Sequence, residues 1–152
     1  MDLPISLLSE TIRVGTIIYF YDKHLTQTDE PHPHVVIYSV DESTHLLVGT
    51  SKFENRRRHI EHENINRATL VTIRQSDEEN TLTLDTHLDC NSFHSYTTSY
   101  LSEKLKDGKA TLRGNVKNSV LQQIIEGIKA SGKHEPDTKQ IITSEIQKVI
   151  DT

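Results

Sequence analysis

The chain has 152 residues, 34% of them hydrophobic, and a formal charge of −5 at pH 7 with histidine neutral. That length suits one domain with a single core and a short appendage. No apolar stretch approaches the roughly 20 residues that cross a bilayer, and the Met1-Asp2-Leu3-Pro4 start lacks a signal-peptide pattern, so a soluble, cytoplasmic protein is expected.

Cys90 is the single cysteine, which excludes an intrachain disulfide and a cysteine-based zinc cluster. The acidic total does not favour a nucleic-acid binder, but Lys52 to Arg74 holds six Lys/Arg against three Asp/Glu, so a local basic face survives it. Tryptophan is absent and aromatics are few, which leaves Tyr19, Tyr21, Phe53, Phe93, Tyr96 and Tyr100 for any base stacking.

In chain order, residues 1 to 10 read as a lead-in, with Pro4 against a long helix. Ile12 to Tyr21 is rich in β-branched and aromatic residues and predicts a strand from about Thr16. Asp22 to Glu30 is polar and aperiodic, a loop placed to cover a site or simply a solvated connection. Glu30 to Ser39 and Leu46 to Lys52 are apolar runs of strand length joined by the Asp41-Glu42-Ser43-Thr44 turn. If they pair antiparallel, His32 and His34 at the start of one fall at the same sheet edge as Thr50 and Ser51 at the end of the other.

Phe53 to Asn66, with Arg56, Arg57, Arg58, His59 and His62, is too charged for a core strand and reads as a surface loop or short helix. Thr69 to Arg74 and Thr81 to Asp85 both alternate and predict a hairpin. Phe93 to Tyr100 predicts a further strand, and Lys106 to Lys109 a turn. Asn115 to Ser131 switches to helical period, with Val116, Val120, Leu121, Ile124, Ile125 and Ile128 on one face and Gly132 as a stop. Residues 133 to 152 then give a short linker and a second amphipathic helix, Thr138 to Ile150, suited to closing the core or binding a partner. The expected class is mainly β with C-terminal helices, α+β.

The order of a Val14-Gly15-Thr16-Ile17-Ile18 start, Pro33 before a Val-Val-Ile strand, Leu-Leu-Val-Gly-Thr-Ser ending at Ser51, Asn91-Ser92-Phe93-His94 and one apolar helix resembles the MazF/PemK-like toxins of toxin–antitoxin systems. The likeness spans roughly Val14 to Ser131. It implies a small SH3-like, plasmid-maintenance-toxin barrel, usually a homodimer. The activity it implies is a metal-independent endoribonuclease on single-stranded RNA, with no cofactor and with a small antitoxin as partner. The family's Thr falls on Thr50, with Ser51 beside it. The family's Arg before the Pro falls on His32, a departure from the pattern.

Cleavage of RNA through its 2′-hydroxyl needs a base, an acid for the leaving 5′-oxygen and donors for the crowded phosphorus centre. Histidine titrates near 6.5 and serves as base or acid, whereas Arg is a permanent phosphate clamp. Alternation along a strand would put His32 and His34 on one side, two imidazoles near one phosphate, with Thr50 as hydroxyl donor. The missing positive charge would come from Lys52 or from Arg56, Arg57 or Arg58, and His94, Tyr96 and Thr97 are further candidates. A His-X-His at a strand start is equally the composition of an exposed polar rim. The competing reading is therefore a non-catalytic SH3-like module that binds RNA or a protein through the Arg56 to His62 loop.

Nine histidines raise the question of a metal, since His32 and His34 can ligate zinc together with His24, His45 or His94. No closed ligand motif is present, and His59-Ile60-Glu61-His62 has the wrong spacing for His-Glu-X-X-His, so no metal site is expected.

Overall fold

The computed structural model describes residues 12–25, 30–52, 57–58, 61, 66–75 and 79–152. Arg56, His59 and His62, like the lead-in before Ile12, lie outside the described residues. The architecture is α+β: a seven-stranded antiparallel sheet and three helices among the described residues. Among the described residues, no helix is long and apolar enough to cross a membrane.

The strands are β1 (Thr16–Phe20), β2 (His32–Val40), β3 (Ser43–Thr50), β4 (Leu70–Ile73), β5 (Thr86–Asp89), β6 (His94–Thr97) and β7 (Ala110–Asn115). The helices are α1 (Thr98–Lys106), α2 (Asn118–Ala130) and α3 (Pro136–Ile150). The sheet runs β4-β5-β3-β2-β1-β7, with β6 also paired to β3, and it does not close. β2 and β3 form the central hairpin, with Val40 opposite Ser43 across the two-residue loop Asp41-Glu42. Asp41 takes φ 53°, the left-handed conformation such a tight loop requires and one that Asp tolerates better than most side chains.

Neighbouring apolar residues on the central strands go to opposite faces. Ile17, Val35 and Leu47 join one core with the helices α2 and α3, while Ile18, Phe20, Val36 and Leu46 join a second with Tyr96 and Leu101. A sheet covered on both sides needs apolar residues at consecutive positions, which is why Ile17-Ile18, Val35-Val36-Ile37 and Leu46-Leu47 are unbroken runs rather than alternating ones. An irregularity between Val36 and Tyr38 returns both Ile37 and Tyr38 to the helix-side core. Val120, Leu121, Ile124, Ile125 and Ile128 of α2 are buried there, and Ile142 and Ile146 of α3 complete it, so the C-terminal helix closes the core.

Three local expectations are corrected. β4 pairs with Thr86–Asp89 and not with Thr81 to Asp85. The Asn80 side chain accepts the Leu82 N–H and donates to the Arg74 carbonyl, bending the chain before a strand can begin, and Leu82 (6% exposed) and Leu84 (59%) do not share a buried face. The predicted strand from Phe93 to Tyr100 ends at Thr97, whose hydroxyl accepts the Tyr100 N–H and starts α1; a Thr cap followed by Leu101 and Leu105 one turn apart was the available signal. β7 replaces what read as a direct passage from the Lys106–Lys109 turn into α2, and it lines the outer edge of β1.

The segment before β5 is tied to that edge. Asn80 bridges Gly114, Thr81 N–H donates to the Arg113 carbonyl at 2.9 Å, and Asn115 N–H donates to the Glu79 carbonyl at 2.6 Å. Gly114 has φ +92°, and a Cβ there would stand 2.2 Å from the Glu79 carbonyl oxygen. Gly114→Ala is therefore expected to cost on the order of 3 kcal/mol in denaturant unfolding, from the backbone strain plus the overlap. A loss below about 1 kcal/mol would show that the Glu79 segment does not press on β7.

Candidate functional site

β2 enters the sheet through Glu30-Pro31-His32-Pro33, and β3 leaves it at Thr50, at the same edge because the two strands are antiparallel neighbours with His34 opposite Val48. There a cavity of about 270 Å3 is lined by His32, Thr50, Ser51 and Lys52, with Glu30, Pro33 and Thr86 also contributing to its wall. Gly49 makes this packing feasible, since a Cβ on it would fall 2.3 Å from Thr86 Cγ2 and 3.1 Å from the Pro33 carbonyl. A larger cavity of about 550 Å3 between the start of β1 and α3 holds none of the catalytic or substrate-binding candidates named from the sequence. Its Glu145 and Lys148 side chains pair with each other at 2.9 Å.

The hydrogen bonds at the rim assign roles to its atoms. His32 Nδ1 lies 2.9 Å from the Glu30 carbonyl, an acceptor only, so Nδ1 carries the proton and the neutral ring keeps its lone pair on Nε2. Thr50 Oγ1 accepts the Lys52 N–H at 3.1 Å, which closes the turn and leaves the hydroxyl hydrogen to be donated elsewhere. Ser51 and Lys52 are exposed. Arg57 pairs with Glu61 at 3.0 Å, Arg58 is exposed, and neither lines the cavity.

His34 is not at this rim. It is fully buried, with Nδ1 2.8 Å from the His32 carbonyl and Nε2 2.9 Å from Asp22 Oδ2, and the Phe20 ring stacks on it at 4.2 Å between centroids. The expected pair of imidazoles beside one phosphate is not formed, because a sheet buried on both faces takes His34 into the core while the strand end leaves His32 at the cavity.

What His34 joins is a second constellation. Asp22, also fully buried, sits at the end of β1 rather than in a solvated loop. Its Oδ2 faces both His34 Nε2 and, at 2.5 Å, His94 Nδ1 on β6. Its Oδ1 accepts the Tyr96 O–H and, at 2.9 Å, the His24 N–H. Burial works to raise the Asp22 pKa, but the hydrogen bonds from His34, His94, Tyr96 and His24 together hold it well below the usual carboxylate range. Burial first, then the bond to Asp22, push the Tyr96 hydroxyl above its ordinary value, so it acts only as a donor. Burial likewise pulls His34 down, against the attraction of Asp22.

Glu30 and Asp22 carry no local sequence signal: Asp22 meets His34 across 12 residues and His94 across 72. Cys90 is buried, and that burial, with Asp89 adding to it, pushes its thiol up to about 12, which favours the protonated thiol over the nucleophilic thiolate. No family model and no curated protein matches this chain.

Proposed function

We propose that this protein is an endoribonuclease that cleaves single-stranded RNA by attack of the 2′-hydroxyl on the adjacent phosphate, without a catalytic metal. The observation that carries the reading is the gathering of His32, Thr50, Ser51 and Lys52 around one cavity at the edge of the central hairpin. His32 Nε2 takes the 2′-hydroxyl proton as the 2′-oxygen bonds to phosphorus, Thr50 and Ser51 donate hydroxyl hydrogens to the phosphate oxygens, the Lys52 ammonium balances the charge that builds there, and the P–O5′ bond breaks with the departing 5′-oxygen protonated by water. DNA lacks the nucleophile.

The likeness to MazF/PemK-like toxins extends the reading to an SH3-like barrel, which the bridge between Asn80 and Gly114 at the sheet's outer edge supports. It extends it also to a cytoplasmic toxin acting as a homodimer, its cleft blocked by an extended segment of a small antitoxin.

The test is incubation of the purified protein with an unstructured RNA and its DNA counterpart in EDTA, with circular dichroism to confirm that the sample is folded. RNA-only cleavage leaving 5′-hydroxyl ends is expected. Intact RNA that nonetheless shifts in a binding assay would replace the enzyme by a non-catalytic binding module.

A further inference from the structure

We propose that Asp22, His34 and His94 form a binding site for a divalent first-row transition metal ion, with Zn2+ the natural occupant of an N2O donor set. The inference stands apart from the ribonuclease reading, because these three residues lie outside the His32–Thr50 cavity. Asp22 Oδ2, His34 Nε2 and His94 Nδ1 all lie within 4.8 Å of one another, so small side-chain shifts bring them around one ion, whose bonds of roughly 2.0–2.2 Å would replace the direct contacts of 2.9 and 2.5 Å that Oδ2 now makes to the two rings.

Two of the three ligands, His34 and Asp22, are already held by an outer partner, as metal ligands are. His34 donates Nδ1–H to the His32 carbonyl, which turns Nε2 toward Asp22. The Asp22 carboxylate divides its work, Oδ1 taking the Tyr96 O–H and the His24 N–H and leaving Oδ2 to the two imidazoles. Phe20 fixes the plane of the His34 ring.

Proton accounting favours a cation there. Both His34 nitrogens face acceptors, so without a metal the ring must be a charged imidazolium in a fully buried position, or else Nε2 turns a lone pair to the carboxylate. An ion between Nε2, Nδ1 and Oδ2 removes both difficulties, because it lets two neutral imidazoles and an ionised carboxylate share one positive centre. His94, 18% exposed at its side chain, is the ligand open to solvent, and the His24 ring stands beside it at 5.7 Å between centroids; this is the side on which a fourth ligand, water or His24, completes the shell. The ion would tie the end of β1 to the starts of β2 and β6.

The experiment strips the full chain with EDTA, exchanges it into metal-free buffer and titrates it with Zn2+ and, separately, Mg2+, following bound equivalents and the melting temperature. One equivalent of Zn2+ with a raised Tm, and no response to Mg2+, is expected. His94→Gln keeps a donor for Asp22 but removes the ligand nitrogen, and is expected to weaken Zn2+ binding about tenfold or more. His45→Gln, at a histidine outside the cluster, leaves it unchanged. No bound equivalent, or equal affinity in wild type and His94→Gln, overturns the site. If His94→Gln does not fold, the imidazole 15N shifts of the wild type decide: those of His34 Nε2 and His94 Nδ1 must move on adding Zn2+, and their constancy overturns the proposal. Cleavage is assayed in EDTA and Zn2+ binding needs no RNA, so the two proposals fail separately.

Discussion

His32→Ala is expected to slow RNA cleavage by about 10²–10⁴-fold, the usual worth of a positioned general base. The variant should keep a near wild-type melting temperature, because the bond from His32 Nδ1 to the Glu30 carbonyl is exposed. Thr50→Val, which removes the hydroxyl while keeping the β-branched shape, is expected to cost about 10–10²-fold through one lost bond to a charged oxygen. His32→Arg separates base from clamp. It restores the permanent charge of the resembling family, so KM should fall or hold while kcat drops as in the alanine variant. Single-turnover cleavage of a short RNA measures all three, and undiminished cleavage by His32→Ala would remove the histidine from the chemistry.

Asp22→Ala is expected to lower the free energy of unfolding by about 3–5 kcal/mol, the cost of removing one partner from a buried charged network. In a chain of this length that corresponds to a fall in Tm on the order of 10 °C. Asp22 accepts from four donors on three segments, and its loss strands His34 Nε2 and the Tyr96 hydroxyl in the core. The comparison is Arg57→Ala, which breaks the exposed Arg57–Glu61 pair one helical turn apart and is expected to cost less than about 1 kcal/mol. Thermal and urea unfolding measured in the presence of EDTA isolate the network from any bound ion. Equal shifts for the two variants would mean that the Asp22 cluster does not hold the fold.

The first of these variants removes one histidine of the His-X-His motif and the second removes the buried partner of the other, and the contrast shows how far local pattern reaches. Alternation makes positions 32 and 34 equivalent. In the protein, His34 is fully buried against Phe20 and Asp22, while His32, the first residue of the strand, lines the cavity. Nothing within the motif distinguishes them, because the difference arises from what the neighbouring strands and the β1 end bring to each face.

What the sequence determines by itself is whatever depends on neighbours within a few residues. The apolar runs and a turn read over Asp41 to Thr44, which the structure tightens to the loop Asp41-Glu42, specify the β2–β3 hairpin and bring His32 and Thr50 to one edge, and the 3.6-residue spacing of Val120, Leu121, Ile124, Ile125 and Ile128 specifies α2. Only the tertiary structure decided that β4 pairs with Thr86–Asp89, that Ile142 and Ile146 close the same core, and that Asp22 meets His94 across 72 residues. Periodicity and turn chemistry are local energies, legible in any short window. Pairing partners and buried polar clusters are settled by which distant segments can desolvate one another's surfaces with every donor and acceptor satisfied, and that choice exists only once the chain has folded.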